Sequence, residues 1–324
     1  MKEKPVACII IPAFNEQSVL PESLERISIL LENLIQSDHI SHKSYICIVD
    51  DGSRDGTWQI VTDRAKRSPR ITGIKLSSNF GHQHALMAGL ESCVADIFIT
   101  IDADLQDDET AIIEMVNHYL DGAHIVYGIR KSRNSATLFK RFSALTFYKV
   151  MDLFKTGTIY NHADFRLLSS DVVQELRRFK EVNLFLRAII PSIGFRQSQV
   201  YYDRKERAAG ESKYPLVKML SFAWNGITSF TTIPLKMVSF LGMVIFLMTL
   251  LGASYSIWQK VNGNVIPGWT STVLPIFFLG GVQLLCTGIL GEYIGKIYQE
   301  IKRRPRFIIE KKTDSYDSDP EFPG

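Results

Sequence analysis

The sequence predicts an α/β domain with a mostly parallel sheet and helices on both faces, followed by two transmembrane helices. Three observations carry this. Short runs that are apolar throughout alternate with amphipathic stretches, which is the pattern of parallel strands buried on both faces. Polar and turn-forming residues collect just after each apolar run. Near the C-terminus, residues 237–259 and 261–291 contain no charged residue, and each run exceeds the roughly 20 residues a membrane-spanning helix needs.

Taken in order, VACIIIP reads as the first strand, and SVLPESLERISILLENLIQ follows with apolar positions at helical spacing. YICIVDDGS is a second strand and DGTWQIVTDRAKRS a second helix; ITGIKLS and HQHALMAGLESC repeat the alternation. DIFITIDAD then predicts a buried strand that stops where its acids begin, ahead of a helix over ETAIIEMVNHYL. The one early apolar run, VACIII, ends at Pro12 and predicts no signal peptide.

With Lys+Arg 37 against Asp+Glu 34, the 324 residues carry a formal charge of +3, which gives no reason to expect a nucleic-acid partner. Lys213, Lys218 and Lys236 precede the first uncharged run, Lys296, Lys302, Arg303, Arg304 and Arg306 follow the second, and the connection holds only Lys260. The positive-inside rule then puts both ends in the cytoplasm. The predicted organisation is a cytoplasmic domain over 1–214, interfacial amphipathic helices over 215–234, a span over 235–259, an outward loop over 260–269, a second span over 270–295, and a cytoplasmic basic segment with an acidic tail over 296–324. LFKRFSALTFYKVMDLFK, at 138–155, interleaves basic and apolar residues; it is either an interfacial helix or ordinary core packing. The basic cluster at 302–306 either binds anionic head groups or only fixes topology. Cys8, Cys47, Cys93 and Cys286 lack the spacing of a metal site and read as buried thiols of a reducing compartment.

Ligands of parallel sheets sit beyond the carboxyl ends of the strands. There the sequence has Pro12-Ala13-Phe14-Asn15-Glu16, Asp50-Asp51-Gly52-Ser53, Ser77-Ser78-Asn79 and Asp102-Ala103-Asp104. A dinucleotide fold would need G-x-G-x-x-G after the first strand, and a P-loop is absent too. Asp104 or Asp108 is open to a bland use as a helix cap. Yet so acidic an edge holds a nucleotide diphosphate only through a hard divalent cation. Asp104 with Asp102 is thus expected to position Mg²⁺ or Mn²⁺, leaving Asp51 and Glu16 to accept hydrogen bonds from base or ribose. His82 and His84, one residue apart on a helix, point in different directions and are expected beside the pocket rather than on a shared metal.

IIIPAFNE, IVDDGSRDGT, FGHQHALMAGL, DADLQD and ADFRLLS, in this order, resemble the family 2 inverting glycosyltransferases of the GT-A, Rossmann-like fold. Within that family the match is to polyprenyl-phosphate glycosyltransferases such as dolichyl-phosphate mannose synthase and the bactoprenol glucosyltransferases, and it extends through GESKY and LGEYIGKIYQEIKRRPRFII. The resemblance implies Pro12, Ala13, Asn15, Glu16 and Asp51 around the nucleotide, Asp102 and Asp104 as the D-x-D pair, and Gln106 near the sugar. It implies Arg130, Arg207 and Lys213 at phosphates. Asp164 falls where a catalytic base is proposed, or else it anchors Arg166 or another cation.

The implied reaction moves glucose from UDP-glucose to undecaprenyl phosphate at the cytoplasmic face of a bacterial inner membrane, for O-antigen or another envelope glycan. GDP-mannose or a UDP-aminoarabinose derivative are rival donors, and a non-catalytic nucleotide-binding membrane protein is the rival class. A processive synthase would need more helices and Q-x-x-R-W. A flippase and a downstream transferase are expected partners by resemblance, and Gly280, Gly281, Gly288, Gly291 and Gly295 permit helix packing in a homo-oligomer.

Overall fold

The computed structural model describes residues 3–104, 106–131, 162–181, 184–203, 233–262 and 269–313. Arg207, Lys213, the amphipathic stretches at 138–155 and 215–232, residues 263–268 of the connecting loop and the acidic tail lie outside the described residues. The chain divides into two units, one holding the described residues up to 203 together with 304–313, the other holding 233–262 and 269–303.

The first unit is built on an eight-stranded sheet. Its strands are β1 (Ala7–Ala13), β2 (Tyr45–Asp50), β3 (Ile71–Leu76), β4 (Ile97–Thr100), β5 (Ile125–Arg130), β6 (His162–Ser169), β7 (Gln197–Tyr202) and β8 (Ile309–Lys312), in the spatial order β7-β5-β6-β4-β1-β2-β3-β8. β1 runs parallel to β2 and β4, β2 to β3, and β5 to β7, whereas β6 is antiparallel to β4 and β5, and β8 to β3. Every residue of β1 and β4 is buried, which is why their sequences are apolar throughout rather than alternating.

The helices of this unit are α1 (Leu20–Gln36), α2 (Thr57–Arg67), α3 (His82–Ser92), α4 (Ala111–Leu120), α5 (Ser170–Arg178) and α6 (Leu186–Ser192). α1 buries Leu20, Leu24, Ile27, Leu31 and Leu34, a stripe at helical spacing, with each side chain contributing about 1.5–3 kcal/mol of apolar burial. α3 lies so close to the sheet that a Cβ on Gly89 would stand 2.6 Å from Ile10 Cγ2; only glycine permits the approach. α5 is capped by Ser169, whose Oγ accepts from Val172 N. The cap open to Asp104 or Asp108 takes another form: Asp104 Oδ1 accepts from Gln106 N at 3.2 Å and Asp108 Oδ1 from Thr110 N at 3.3 Å, so both brace the turn before α4. Cys8, Cys47 and Cys93 are buried and form no disulfide, as the sequence suggests, whereas Cys286 on the last helix is only half-buried.

β8 changes the sequence reading of 296–324 as a segment apart from the catalytic domain. Lys312 and Lys311 pair with Ile74 and Lys75, Thr313 Oγ1 accepts from Gly73 N at 3.0 Å, and Lys75 pairs with Glu310 at 3.1 Å. Arg306, one of the basic cluster at 302–306, is turned onto the protein, donating to the Phe179 carbonyl and lying 3.5 Å from Glu91.

The second unit consists of α7 (Ile233–Val261) and α8 (Trp269–Ile301). Segments Pro234–Gly252 and Phe278–Ile301 are long and apolar enough to cross a membrane. Their apolar side chains, among them Phe240, Leu251 and Leu284, face outward, the reverse of a soluble core helix.

Candidate active site

Four loops at the carboxyl edge of the sheet enclose a cleft of about 410 Å³. Its walls include Pro12, Ala13, Glu16, Asp51, His82, Asp102 and Asp104, six of them expected from sequence at the ligand. The first loop leaves β1 at Ala13 and turns at Asn15, whose φ of 57° is the left-handed conformation that asparagine tolerates. Asn15 then laces the first two loops together: its N donates to Ser53 Oγ and its Oδ1 accepts from Arg54 N, both at 2.9 Å. Glu16 N donates to Thr57 Oγ1 at 2.9 Å, which presents Glu16 at the cleft wall.

Asp51, expected to accept from base or ribose, accepts from Phe80 N at 2.8 Å and Gly81 N at 2.9 Å. Its carboxylate therefore ties the loop after β2 to the start of α3. Burial raises its pKa, with the two amide bonds and the positive field of His84 acting against that rise. Gly52 beside it has φ +69°, and a Cβ there would lie 2.4 Å from the Ser78 carbonyl carbon, so this turn requires glycine.

Asp102 and Asp104 follow β4 as the sequence predicts. Burial raises the pKa of Asp102; His82 lowers it, and the like charges of Asp107, Asp164 and Asp104 raise it further. Such mutual repulsion fits a divalent cation. The pair suits a hard cation completed by diphosphate oxygens rather than an all-protein cage, and no group of three or more His, Cys, Asp or Glu among the described residues makes such a cage.

Asp164 arrives from β6. The antiparallel register matches Thr100 with Arg166, so Asp164 comes opposite Asp102, and Thr100 Oγ1 donates to the Asp164 carbonyl at 2.5 Å. Its carboxylate is wholly engaged. Arg166 Nη2 donates to Oδ1, Arg187 Nη2 lies 3.1 Å and Gln83 Nε2 3.3 Å from Oδ2, and His82 Nε2 is 3.5 Å from that same oxygen. Burial opposes its charge, yet the contact with His82 and the charges of Arg166 and Arg187 hold it well below the ordinary carboxylate range. Of the two uses the sequence left open, this geometry is that of a cation anchor; a carboxylate so stabilised is a weak acceptor of protons.

His82 also lies 3.5 Å from Asp102 Oδ1, joining the two carboxylates, while burial is offset by both acids to raise its pKa. His84, two positions along α3, acts instead on Asp51. Gln106, expected near the sugar, is buried, its N donating to Asp104 Oδ1, and it is not among the described lining residues of the cleft. Arg130, expected at phosphates, is committed to Asp107 through contacts of 2.9–3.2 Å, and Tyr202 OH donates to Asp107 Oδ1 at 2.7 Å. That trio pins the turn after Asp104 to β5 and β7. His82 was expected only beside the pocket, and Gln83 and Arg187 were given no role from sequence, because their shared partner Asp164 comes from β6, whose antiparallel pairing with β4 no local motif reports.

Fold and cleft together define a GT-A type α/β domain with an acidic ligand site at its carboxyl edge. The chain belongs to glycosyl transferase family 2, whose family model matches residues 8–177. It is similar to the uncharacterized glycosyltransferase YkoT of Bacillus subtilis, 47% identical over 95% of this chain and 92% of the relative. It is also similar to the SfII prophage-derived bactoprenol glucosyl transferase of Shigella flexneri, 37% identical over 94% of this chain and 97% of the relative. Among solved structures, glucosyl-3-phosphoglycerate synthase from Mycobacterium tuberculosis, in complex with Mn²⁺, UDP and phosphoglyceric acid, is a distant likeness: 18% identity, TM-score 0.47, covering 69% of this chain and 76% of that one. The protein is a glycosyltransferase.

Proposed function

We propose that this glycosyltransferase moves glucose from UDP-glucose to undecaprenyl phosphate, with inversion at C1, at the cytoplasmic face of a bacterial inner membrane that α7 and α8 cross. The observation that carries the reading is the pair Asp102 and Asp104 on one wall of a cleft whose other walls hold Asp51 and Glu16. Near-full-length relatives named bactoprenol glucosyl transferase, at 37% and 35% identity, support the choice of sugar and lipid.

Asp102 and Asp104 would hold Mg²⁺ or Mn²⁺, which supplies charge stabilisation of a departing diphosphate when bound. Asp51 keeps the loops after β2 and β3 in register, and Glu16 faces the nucleoside. The acceptor's phosphate oxygen attacks C1 as the bond from C1 to the nucleoside diphosphate breaks. A phosphate monoester has its second pKa near ~6 and is already largely a dianion at neutral pH, so little deprotonation is required. The held-down carboxylate of Asp164 agrees with that: it organises Arg166, Arg187 and His82 instead of taking a proton. Orientation of the two substrates supplies most of the remaining rate.

The deciding experiment offers purified protein in detergent a panel of UDP- and GDP-hexoses with undecaprenyl phosphate, with Mg²⁺, Mn²⁺ or chelator. Metal-dependent transfer from UDP-glucose is the expected result; transfer only from GDP-mannose or a UDP-aminoarabinose derivative would replace the donor. Binding of nucleotide with no transfer from any donor would replace the enzyme reading with a binding protein.

A further inference from the structure

We infer that Arg187 is the side chain that receives the acceptor's phosphate monoester. The inference rests on the reading just given and adds to it the place where the second substrate docks.

Four acids, Glu16, Asp51, Asp102 and Asp104, face the donor cleft, and among its described lining residues His82 is the one basic side chain. A dianionic acceptor cannot approach such walls without positive charge of its own. Positive charge gathers one residue further on, around Asp164. A single carboxylate there meets two guanidinium groups, and His82 shares its Oδ2 atom with Arg187. Arg166 alone is enough to neutralise Asp164. It is 1% exposed, and its Nε and Nη1 are buried without a hydrogen-bond partner among the described residues, so it cannot reach outward but adds its positive field from behind.

Arg187 differs in being 37% exposed while still held in place. Its Nη2 and Nε lie 3.1 and 3.4 Å from the Asp164 carboxylate. The first turn of its helix is fixed as well, since Leu186 N donates to Gln83 Oε1 at 3.2 Å and Gln83 Nε2 donates to Asp164 at 3.3 Å. A planar guanidinium has five N–H donors in a fixed fork, enough to rest on a carboxylate and still offer donors to phosphate oxygens. The same Asp164 thus connects His82, at the donor cleft, with Arg187, at the acceptor.

The test compares wild type with Arg187→Gln and Arg187→Lys, as full-length protein in detergent, each checked for an unchanged melting temperature. The Michaelis constant for undecaprenyl phosphate is expected to rise about tenfold or more in Arg187→Gln, with Arg187→Lys in between, the loss of charge-assisted contacts. The affinity for UDP with Mn²⁺ is expected to stay within about twofold, because Arg187 is not among the described lining residues of the donor cleft. An unchanged acceptor constant would overturn the inference. So would a fall in UDP affinity that matches it, since Arg187 would then only brace Asp164. If wild type transfers sugar to no polyprenyl phosphate, the functional reading fails, and direct binding with UDP present decides the inference by itself. In that format farnesyl phosphate should bind Arg187→Gln more weakly than wild type, farnesol should bind both alike, and inorganic phosphate shows whether the phosphate alone suffices. Equal affinity of the two proteins for farnesyl phosphate and for inorganic phosphate overturns it.

Discussion

Asp164 shows how surroundings decide the work of a carboxylate. Its pKa is depressed in the folded protein, so the stability it provides is present above the ordinary value of 3.8 and is lost as pH falls through the folded value. Asp164→Asn leaves Arg166 buried opposite a neutral amide, and removal of one partner from a buried pair costs about 3–5 kcal/mol. Its melting temperature should therefore fall below that of wild type by a gap that shrinks toward pH 8 as His82 loses the charge Asp164 favours, and that narrows again below about pH 4 as Asp164 itself is protonated. A gap that persists unchanged at pH 3 would refute the anchoring role. Asp104→Asn is a different kind of change, at a half-buried position on the cleft wall. Its turnover should drop about 10²-fold or more while its melting temperature barely moves, and its UDP affinity should cease to depend on Mn²⁺.

Among the elements, the loops and the last strand matter most. Gly52→Ala places a methyl group 2.4 Å from the Ser78 carbonyl carbon at a φ of +69°, so the backbone must shift. About 2 kcal/mol or more of stability should be lost, and with it the hold of Asp51 on Phe80 and Gly81. Weaker nucleotide binding at temperatures where the variant is folded is the measurement that checks this. β8 is the chain's return to the catalytic unit after α8, and it covers what would otherwise be an open edge of β3. Deleting residues 304–324 should lower the melting temperature and promote aggregation; a truncated protein as stable as the full chain would reduce β8 to decoration.

For the whole molecule, transfer should stop with chelator and return with Mn²⁺ or Mg²⁺, while the protein stays folded throughout, because no described cluster makes the metal part of the fold. Extraction from membranes should require detergent, and reporters fused at the two ends should report the same side, as the basic flanks of both apolar helices dictate. Reporters on opposite sides would leave one of the two helices outside the bilayer.

Much of this protein is legible in its sequence. Strands such as VACIIIP and DIFITI declare themselves because a parallel strand is buried on both faces, and the acids after them had to lie at one edge because all such strands point the same way. The family followed from motifs that are local and ordered. What only the tertiary structure decided depends on pairing between distant segments. The antiparallel register of β6 with β4 sets Asp164 opposite Asp102, and α6 brings Arg187 to it; neither leaves a periodic trace in the chain. The resemblance put Arg130 at a phosphate, and the fold gives it a partner, Asp107, that the sequence does not reveal. β8 was hidden for the same reason: four residues of IEKK become a strand only because the edge of β3 is there to pair with them.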